Sequence, residues 1–297
     1  MRAVVIHETG GVDVLRLEEV ERPVPGEGEV LVRVQAASVN PIDWKLRRGL
    51  MPKRLPAILG SDASGVVEVS NAEGFGEGEE VFGFLGSGSY AEFGTAVPAT
   101  LAHKPDHLTH EQAAALPVAA LTAWQALFER GGLERGQKVL ITGASGGVGH
   151  LAVQLAAEAG AEVLGTGSPR SREFVLGLGA ERFIDYTSED LATAASDVDL
   201  VFDAVGHDTQ KLLQVIRPGG RMVVIASAPP EGAAERDVDA QLLVMSPDSA
   251  RLEHLAQLVA DEVIRVEIDQ VMPLADVQRA HALSESGHAR GKIVLTV

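Results

Sequence analysis

The feature that most constrains the fold is the stretch KVLITGASGGVGHLAVQLAAEAGAEVLGTG, which runs from Lys138 to Gly167. A short apolar run, a glycine-rich turn, a helical segment and a second apolar run follow one another, which predicts a strand–helix–strand unit. Gly146 and Gly149 occupy the second and third glycine places of the pattern G-x-G-x-x-G, and Ala144 occupies the first. In that pattern the second glycine lets a pyrophosphate approach the backbone, and the third lets the helix pack closely on the strand.

The glycine turn is expected to bind the diphosphate of a dinucleotide. Backbone N–H groups at the start of a helix have no acceptor within the helix, and the helix dipole makes that end positive. Phosphate oxygens bind readily at such an end. The predicted contacts are the residues of the turn: Ser145, Gly146, Gly147, Val148 and Gly149. A glycine turn without a ligand is the alternative interpretation.

The end of the second strand indicates which dinucleotide binds. An NAD site usually has an acidic residue there to bond the ribose hydroxyls, but the segment GTGSPRSR from Gly165 to Arg172 contains none. Ser168 can donate a hydrogen bond to a phosphate, and Arg170 or Arg172 can pair with it through two bonds. We therefore predict NADPH as the cofactor. The alternative is that both arginines only begin a surface helix.

The rest of the chain predicts a second domain. A length of 297 residues favours two domains, and short β-branched runs separated by Gly and Pro fill the first 110 residues. Thr109 and Gln112 form a candidate capping box, and a further helix is expected to start near Thr122. After Lys138 strands and helices alternate, which is typical of a doubly wound parallel sheet. The predicted domains are 1–112 with 263–297, and 113–262.

Charge and composition limit the partners. The formal net charge is 25 − 42 = −17, which disfavours nucleic acids and anionic membranes as partners. The basic segment from Lys45 to Pro56 is interpreted as a solvated loop. The chain has no cysteine, which excludes a thiolate zinc site. No signal-peptide pattern and no run of ~18 apolar residues occur, so we expect a cytoplasmic protein that does not enter membranes.

The segment from Thr142 to Gly149 also satisfies T-G-x-x-x-G-x-G, the fingerprint of the short-chain dehydrogenases. In that family the motif lies near the amino terminus, and catalysis needs a Tyr-x-x-x-Lys pair. The two tyrosines are Tyr90 and Tyr186, and the residues four positions later are Gly94 and Asp190. The short-chain assignment therefore fails.

The chain instead resembles the medium-chain dehydrogenase/reductase superfamily, within it the zinc-independent quinone oxidoreductase (zeta-crystallin-like) branch. The resemblance covers nearly the whole length. The motifs that carry it are SVNPIDWKLRRG (38–49), LGSDASGVV (59–67), GSYAEF (88–93), LPVAALTAWQAL (116–127), ITGASGGVG (141–149), GLGAERFIDY (177–186), VFDAVG (201–206) and RGKIVL (290–295).

The resemblance implies an α/β protein with a GroES-like β-rich catalytic domain and a Rossmann nucleotide-binding domain. The superfamily's zinc alcohol dehydrogenases have a cysteine at the position of Ile42 or Asp43 and a histidine at that of Ser61, so no metal is expected here. Without a Lewis acid, alcohol oxidation loses its main electrostatic help. The expected substrates are quinones and α,β-unsaturated carbonyls, which accept hydride readily.

The resemblance also implies roles for individual residues. NADPH is expected in the cleft between the domains, with Asn40 and Thr122 facing the nicotinamide end and Tyr186 near the adenosine phosphate. Asn40 is the candidate for substrate contact, since its amide can bond a carboxamide or a substrate oxygen; the alternatives are a capping role for Asn40 and a helix N-cap role for Thr122. The loops after two further strands should border the cofactor; they contribute Val205, Ala226 and Ser227.

Other chemistry-bearing side chains are interpreted as structural. His103, His107 and His110 lie in a connector interrupted by proline, so they need not converge on one metal. Asp43 and Asp62 are interpreted as groups that support the fold by bonding loop amides, with a catalytic role as the alternative. No proton donor is identified.

Two other hypotheses about the function stay open. A pathway-specific enoyl reductase would share every motif quoted above. A non-catalytic NADPH-binding or RNA-associated protein belongs to a different functional class, and the negative charge disfavours RNA. A homodimer is expected, and the segment AQLLVMS (240–246) is the candidate edge strand for its interface.

Overall fold

A computed structural model describes residues 1–297 of the chain. Contacts between residues divide it into two compact units: unit 1, formed by Met1–Leu121 and Pro247–Val297, and unit 2, formed by Thr122–Ser246. None of its helices combines the length and the apolar character that crossing a bilayer requires.

The strands are β1 (Arg2–Ile6), β2 (Arg16–Glu19), β3 (Val30–Val39), β4 (Ala57–Ile58), β5 (Asp62–Ser70), β6 (Glu80–Phe84), β7 (Phe93–Ala96), β8 (Leu101–His103), β9 (Lys138–Ile141), β10 (Glu162–Gly167), β11 (Arg182–Asp185), β12 (Val198–Asp203), β13 (Ile216–Val224), β14 (Asp239–Leu242), β15 (Ile268–Pro273) and β16 (Lys292–Thr296). The helices are α1 (Pro41–Arg47), α2 (His110–Ala114), α3 (Pro117–Trp124), α4 (Gly149–Glu158), α5 (Arg172–Gly177), α6 (Leu191–Ala194), α7 (Thr209–Gln214), α8 (Ser249–Ala260) and α9 (Val277–Glu285).

Unit 1 is built mainly of antiparallel sheet. Seven strands form one sheet in the order β15-β16-β3-β5-β6-β8, with β7 also paired to β3, and β2-β1-β4 form a second sheet. The late strands β15 and β16 join this sheet through β3, as the sequence predicted. Alternating apolar residues such as Val30, Val32 and Val34 fill the core on one face of β3, because successive side chains of a strand point to opposite faces.

Unit 2 contains one parallel sheet of six strands in the order β11-β10-β9-β12-β13-β14. Strands β10 and β11 follow β9 on one side of the sheet. Strands β12, β13 and β14 follow on the other side of β9. Helix α4 packs on β9 and β10, α5 on β11 and α7 on β13. The doubly wound parallel sheet predicted from the sequence is therefore confirmed, and β14 lies at its edge.

Two boundaries differ from those expected from the sequence. Residues 113–121 and 247–262 group with unit 1, whereas the prediction placed them in the second domain, because α2 packs against β3 and β5 and α8 packs against β8. The expected helix start near Thr122 was wrong. Helix α3 begins at Pro117, a residue favoured at the first position of a helix, so Thr122 lies inside α3 and is not its N-cap.

The basic segment from Lys45 to Pro56 is not simply a solvated loop. Its first three residues belong to α1, and the side chain of Arg47 is fully buried. Glu285 of α9 pairs with Arg47 at 2.5 Å and with Arg48 at 2.6 Å. Sequence composition suggested exposure for the whole segment, but packing of α1 against α9 removes Arg47 from water.

His281, on α9, is buried beside this ion pair. Both of its ring nitrogens lack a hydrogen-bond partner, and its ring meets the edge of Tyr90 with centroids 5.6 Å apart. Burial, with a further contribution from the charge of Arg47, lowers the pKa of His281 to about 3. The folded protein therefore holds this imidazole in its neutral form.

Replacing His281 with Leu should leave stability at neutral pH unchanged or raise it, because an unpartnered buried polar group gives way to an apolar one of similar size. The unfolded chain protonates His281 near its ordinary pKa of 6.5, whereas the folded chain does not. Wild-type stability should therefore fall as the pH drops below about 6.5, by up to about 2 kcal/mol more at pH 5 than in the variant.

Urea unfolding of both proteins across this pH range measures the difference, in which the contributions of other titrating groups cancel. His107→Leu, which removes an exposed histidine of the same unit, is the matched control. Parallel pH curves for wild type and His281→Leu would contradict the expectation.

Candidate active site

The glycine turn joins β9 to α4 at the carboxyl edge of the sheet in unit 2. Gly143 has a φ of +59°, in the left-handed region that glycine adopts without steric cost. A Cβ atom on Gly149 would collide with the carbonyl oxygen of Gly143. Only glycine at position 149 therefore lets α4 begin this close to the strand, which is the packing role expected of the third glycine.

The start of α4 offers donors that fit a diphosphate. Val148 is the N-cap, and no acidic side chain stands in the first turn, so nothing there repels an anion. A Cβ atom on Gly146 would lie 3.3 Å from the carbonyl oxygen of Gly143, so glycine keeps this part of the turn uncrowded. The amide-lined cradle fits the phosphate groups of a dinucleotide.

The strands on either side of β9 bring two further loops to the turn. Ala144 donates its amide to Thr166 of β10 at 3.1 Å, and Thr142 donates its amide to Phe202 of β12 at 3.0 Å. The turn therefore lies where the strand order reverses, between β9 and β12. In open parallel sheets ligands bind at this switch point, outside the carboxyl ends of the strands.

The loop after β10 carries three of the predicted contacts. Ser168 is the N-cap of a short 3-10 turn, Pro169–Ser171, on which Arg170 is exposed. Arg172 begins α5; its guanidinium lies 4.9 Å from the centroid of the Phe183 ring and 3.7 Å from a Glu189 oxygen. Arg172 therefore does begin a surface helix, as the alternative interpretation held, and this exposed pairing leaves it able to exchange partners.

Tyr186 stands at the end of the neighbouring strand. Its amide donates to the carbonyl of Gly167 at 3.4 Å, so the carboxyl ends of β10 and β11 meet there. The Tyr186 side chain is 66% exposed, which is high for an aromatic residue that follows a buried strand. The fold thus brings Tyr186 next to the loop that contains Ser168.

Asp203 shapes the loop after β12. One of its carboxylate oxygens accepts hydrogen bonds from the Thr142 hydroxyl at 2.5 Å and from the amides of Val205 and Gly206 at 3.0 and 3.1 Å. This holds Val205 beside Gly143, whose Cβ position lies 2.8 Å from the Val205 side chain. No role was predicted for Asp203 from the sequence, although it lies in the motif VFDAVG; an acidic residue that ends a buried strand was the available signal.

Ala226 and Ser227 follow β13 at the same edge of the sheet. A Cβ atom on Gly206 would lie 3.0 Å from Ala226, so the loops after β12 and β13 touch. Thr122 lies within α3 and is buried.

Asn40 lies in unit 1, in a buried polar cluster. Its side-chain nitrogen donates to Asp62 at 2.8 Å, and its side-chain oxygen accepts from the Lys292 ammonium at 2.5 Å. Asn40 is also the N-cap of α1, and its backbone amide donates to Asp43 at 2.8 Å. Asn40 therefore occupies the N-cap position that the alternative interpretation gave it, while its side chain bonds Asp62 and Lys292, which the sequence did not indicate.

The two carboxylates of this cluster bond amides, as predicted, and hydroxyl groups as well. Asp43 accepts from the Tyr90 hydroxyl at 2.7 Å, and Asp62 accepts from the Ser38 hydroxyl at 3.0 Å and the Val118 amide at 3.3 Å. Burial raises the pKa of Asp43 to about 6. Burial also raises the pKa of Asp62, against the opposing charge of Lys292.

Lys292 is the cluster's only cation. It is 3% exposed, and its nitrogen lies 3.9 Å from an Asp62 oxygen. Burial lowers the pKa of Lys292, while Asp62 and Asp43 oppose that shift. No role was predicted for Lys292 from the sequence, although it lies in the motif RGKIVL; a lysine at the start of an apolar strand was the only signal.

Two of the three histidines of the connector have separate partners, and His107 is exposed. His103 stacks on Phe75 at 4.6 Å and bonds Glu79, while His110 bonds the Ser64 hydroxyl at 2.8 Å and lies 3.4 Å from Glu80. No group of three or more histidine, aspartate or glutamate side chains is arranged to hold a metal ion.

Comparisons with known proteins agree with this architecture. Residues 26–106 match the model of the alcohol dehydrogenase GroES-like domain, and residues 178–295 match that of the zinc-binding dehydrogenases. A chloroplast envelope quinone oxidoreductase homolog from Arabidopsis thaliana is 36% identical over 96% of this chain and 95% of its own length. The chain belongs to the zinc-independent quinone oxidoreductase branch of the medium-chain dehydrogenase/reductase superfamily.

Other members of this oxidoreductase family are similar over most of their length. An NADPH-dependent alkenal/one oxidoreductase from Arabidopsis thaliana is 34% identical over 99% of this chain and 79% of its own length. The solved quinone oxidoreductase of Coxiella burnetii is 36% identical with a TM-score of 0.96, covering 100% of this chain and 99% of that one. A mycobacterial protein solved in complex with NADPH is 29% identical with a TM-score of 0.90, and each chain is covered fully.

These similarities confirm the α/β architecture of a GroES-like domain and a Rossmann-like domain that was predicted from the sequence. They also make the protein an enzyme of a pyridine-nucleotide-dependent oxidoreductase family.

Replacing Gly149 with Ala in this oxidoreductase should lower the free energy of unfolding by about 1–3 kcal/mol, because the added methyl group forces α4 away from Gly143. The shift should also weaken dinucleotide binding. Gly177→Ala is a matched control in the same unit, since a Cβ atom there meets nothing within 4 Å. Urea unfolding and fluorescence titration with NADPH measure both effects; equal results for the two variants would contradict the packing role of Gly149.

Proposed function

We propose that this oxidoreductase uses NADPH to reduce a quinone or an α,β-unsaturated carbonyl compound, without zinc. The observation that carries the proposal is the glycine turn, where Gly149 brings the start of α4 against Gly143 at the switch point of the sheet. The relatives named for quinone and alkenal/one reduction, similar over nearly the whole chain, support this class of substrate. A bound reduced nicotinamide supplies a hydride, and the protein supplies alignment and electrostatics.

The preference for NADPH is proposed from the loop after β10. Ser168, Arg170 and Arg172 follow this strand, and no carboxylate stands between Gly165 and Arg172 to bond a ribose hydroxyl. A phosphate on the ribose would meet one hydroxyl donor and guanidinium groups that bind phosphate oxygens through two parallel bonds. Tyr186 is proposed to border the adenosine end of the cofactor. The loops after β12 and β13 are proposed to border the cofactor beyond its diphosphate, through Val205, Ala226 and Ser227.

In unit 1, Asn40 is proposed to bond a carbonyl oxygen of the cofactor or substrate, and Thr122 of unit 2 to face the nicotinamide end. The homodimer, its interface along β14 and the cytoplasmic location remain predictions. The exposure of Leu242 and Val244 at that edge, 51% and 80% respectively, is consistent with an interface.

The activity is tested by following NADPH oxidation with p-benzoquinone, cyclohexenone and cyclohexanone as acceptors. The quinone or the enone should be reduced. Cyclohexanone should not, because it has no conjugated double bond and the enzyme is proposed to lack a Lewis acid that would activate its carbonyl. NADPH oxidation with cyclohexanone alone, or with none of the three, would contradict the proposal.

The coenzyme preference is tested by titration of Arg170→Ala and Arg172→Ala with NADPH and with NADH. Loss of a charge-assisted phosphate contact should weaken NADPH binding by about 1.5–3 kcal/mol in at least one variant and leave NADH binding nearly unchanged. Arg182→Ala is the control, since Arg182 lies 3.6 Å from the same Glu189 at the opposite end of β11. Equal losses for NADPH and NADH in all three variants would exclude a phosphate-specific role.

A further inference from the structure

The side-chain amide of Asn40 has a fixed orientation. The Lys292 ammonium donates to its oxygen at 2.5 Å, and its nitrogen donates to Asp62 at 2.8 Å. An ammonium group can only donate and an ionised carboxylate can only accept. Turning the amide over would therefore place two donors face to face and two acceptors face to face. The charges of Lys292 and Asp62, and not the shape of the site, therefore fix the positions of the side-chain oxygen and nitrogen of Asn40.

This arrangement leaves Asn40 one unused N–H group. The amide nitrogen has two N–H groups, and Asp62 takes one of them. The oxygen already carries the bond from a full positive charge, which disfavours a second role as acceptor of a ligand proton. Toward any ligand, Asn40 is thus a hydrogen-bond donor.

We propose that Lys292 is a positioning residue, which together with Asp62 holds Asn40 so that its remaining N–H donates to a carbonyl oxygen of the ligand. This inference rests on the proposed function, in which Asn40 contacts cofactor or substrate. Reduction of a quinone or enone moves an electron pair onto the carbonyl oxygen, and a proton from water later neutralises it. A donor fixed in advance stabilises that developing charge.

Lys292 also favours the ionised, accepting form of Asp62. Burial raises the pKa of Asp62, and the nearby ammonium of Lys292 is the charge that opposes the rise. Asp43 and Tyr90 belong to the same cluster, and the elements packed against β5 carry the further titratable groups Arg33, Glu80, His110 and Glu111. None of these groups is a buried cation. Without Lys292, the pKa of Asp62 should rise further, because burial is then no longer opposed by a cation. A protonated Asp62 could donate to the Asn40 oxygen, and the amide would lose its fixed orientation.

The composition of the chain makes the orientation measurable. Asn40 and Asn71 are the only two asparagines, so labelling with ¹⁵N-asparagine gives two side-chain amide signals. Asn71, which donates to the Pro25 carbonyl at 2.9 Å, is the internal reference. In the unmodified enzyme the Asn40 signal should move little with pH, because Lys292 and Asp62 hold the amide in one orientation. In Lys292→Met it should shift with pH while Asn71 stays in place.

Kinetics give the second measurement, with NADPH and either p-benzoquinone or cyclohexenone. In Lys292→Met, kcat should fall about 10-fold to 100-fold at the lower pH and recover as the pH rises and Asp62 ionises. Lys292→Arg retains a cation that can only donate and should restore a flat pH profile. Lys104→Met is the matched control, because Lys104 is also a buried lysine of unit 1, paired with Glu80 and bonded to the Leu108 carbonyl; its profile should match that of the unmodified enzyme.

An unchanged Asn40 signal and a flat pH profile in folded Lys292→Met would overturn the proposal. If that variant fails to fold, Lys292→Gln, which is neutral but can still donate, takes its place with the same expected results. Failure of both to fold, while Lys104→Met folds, would assign Lys292 to the fold and would equally overturn a positioning role. If the unmodified enzyme reduces neither acceptor, the proposed function fails, whereas the amide signals still decide whether Lys292 fixes Asn40.

Discussion

The approach of the first residue of α4 to the carbonyl of Gly143 is the contact on which the candidate cofactor site depends. A side chain larger than hydrogen at Gly149 would collide with that oxygen, and a displaced helix would carry its amide groups away from the strand ends. The neighbouring strands then add their loops at fixed distances, because parallel strands lie about 4.8 Å apart. The close approach that glycine permits at position 149 thus sets the geometry of a site assembled from the loops after five strands.

In unit 1, hydrogen bonds and charges, and not a close backbone contact, fix the candidate site residue Asn40. Its polar cluster is held by charges in a dry interior, where an unpartnered ion would be costly. Asp62 receives bonds from Ser38, Asn40 and Val118, and Lys292 lies 3.9 Å away. Each of these bonds restricts the orientation of the group that donates it. The cluster therefore sets the direction of the Asn40 amide more tightly than packing alone would, since an amide and its flipped form have nearly the same shape.

Local patterns predicted much of this molecule. The glycine spacing, the alternating strands and helices, and the Thr109 capping box each depend on residues within a few positions of one another, and the structure contains all three. Predictions failed where contacts between segments distant in the sequence determine a domain boundary or the burial of a side chain. The first domain boundary was displaced because α2 packs on β3 and β5, and the burial of Arg47 depends on Glu285, 238 positions away.

The sequence by itself determined the class of fold, because hydrophobic period and glycine placement act over short distances, and its motifs indicated the family that the comparisons then confirmed. Only the tertiary structure decided what surrounds Asn40. Lys292 is 252 positions away along the chain, and the pairing of β16 with β3 brings the two together. A local sequence pattern cannot predict the contact between Asn40 and Lys292, since the register of two strands depends on the packing of the whole sheet.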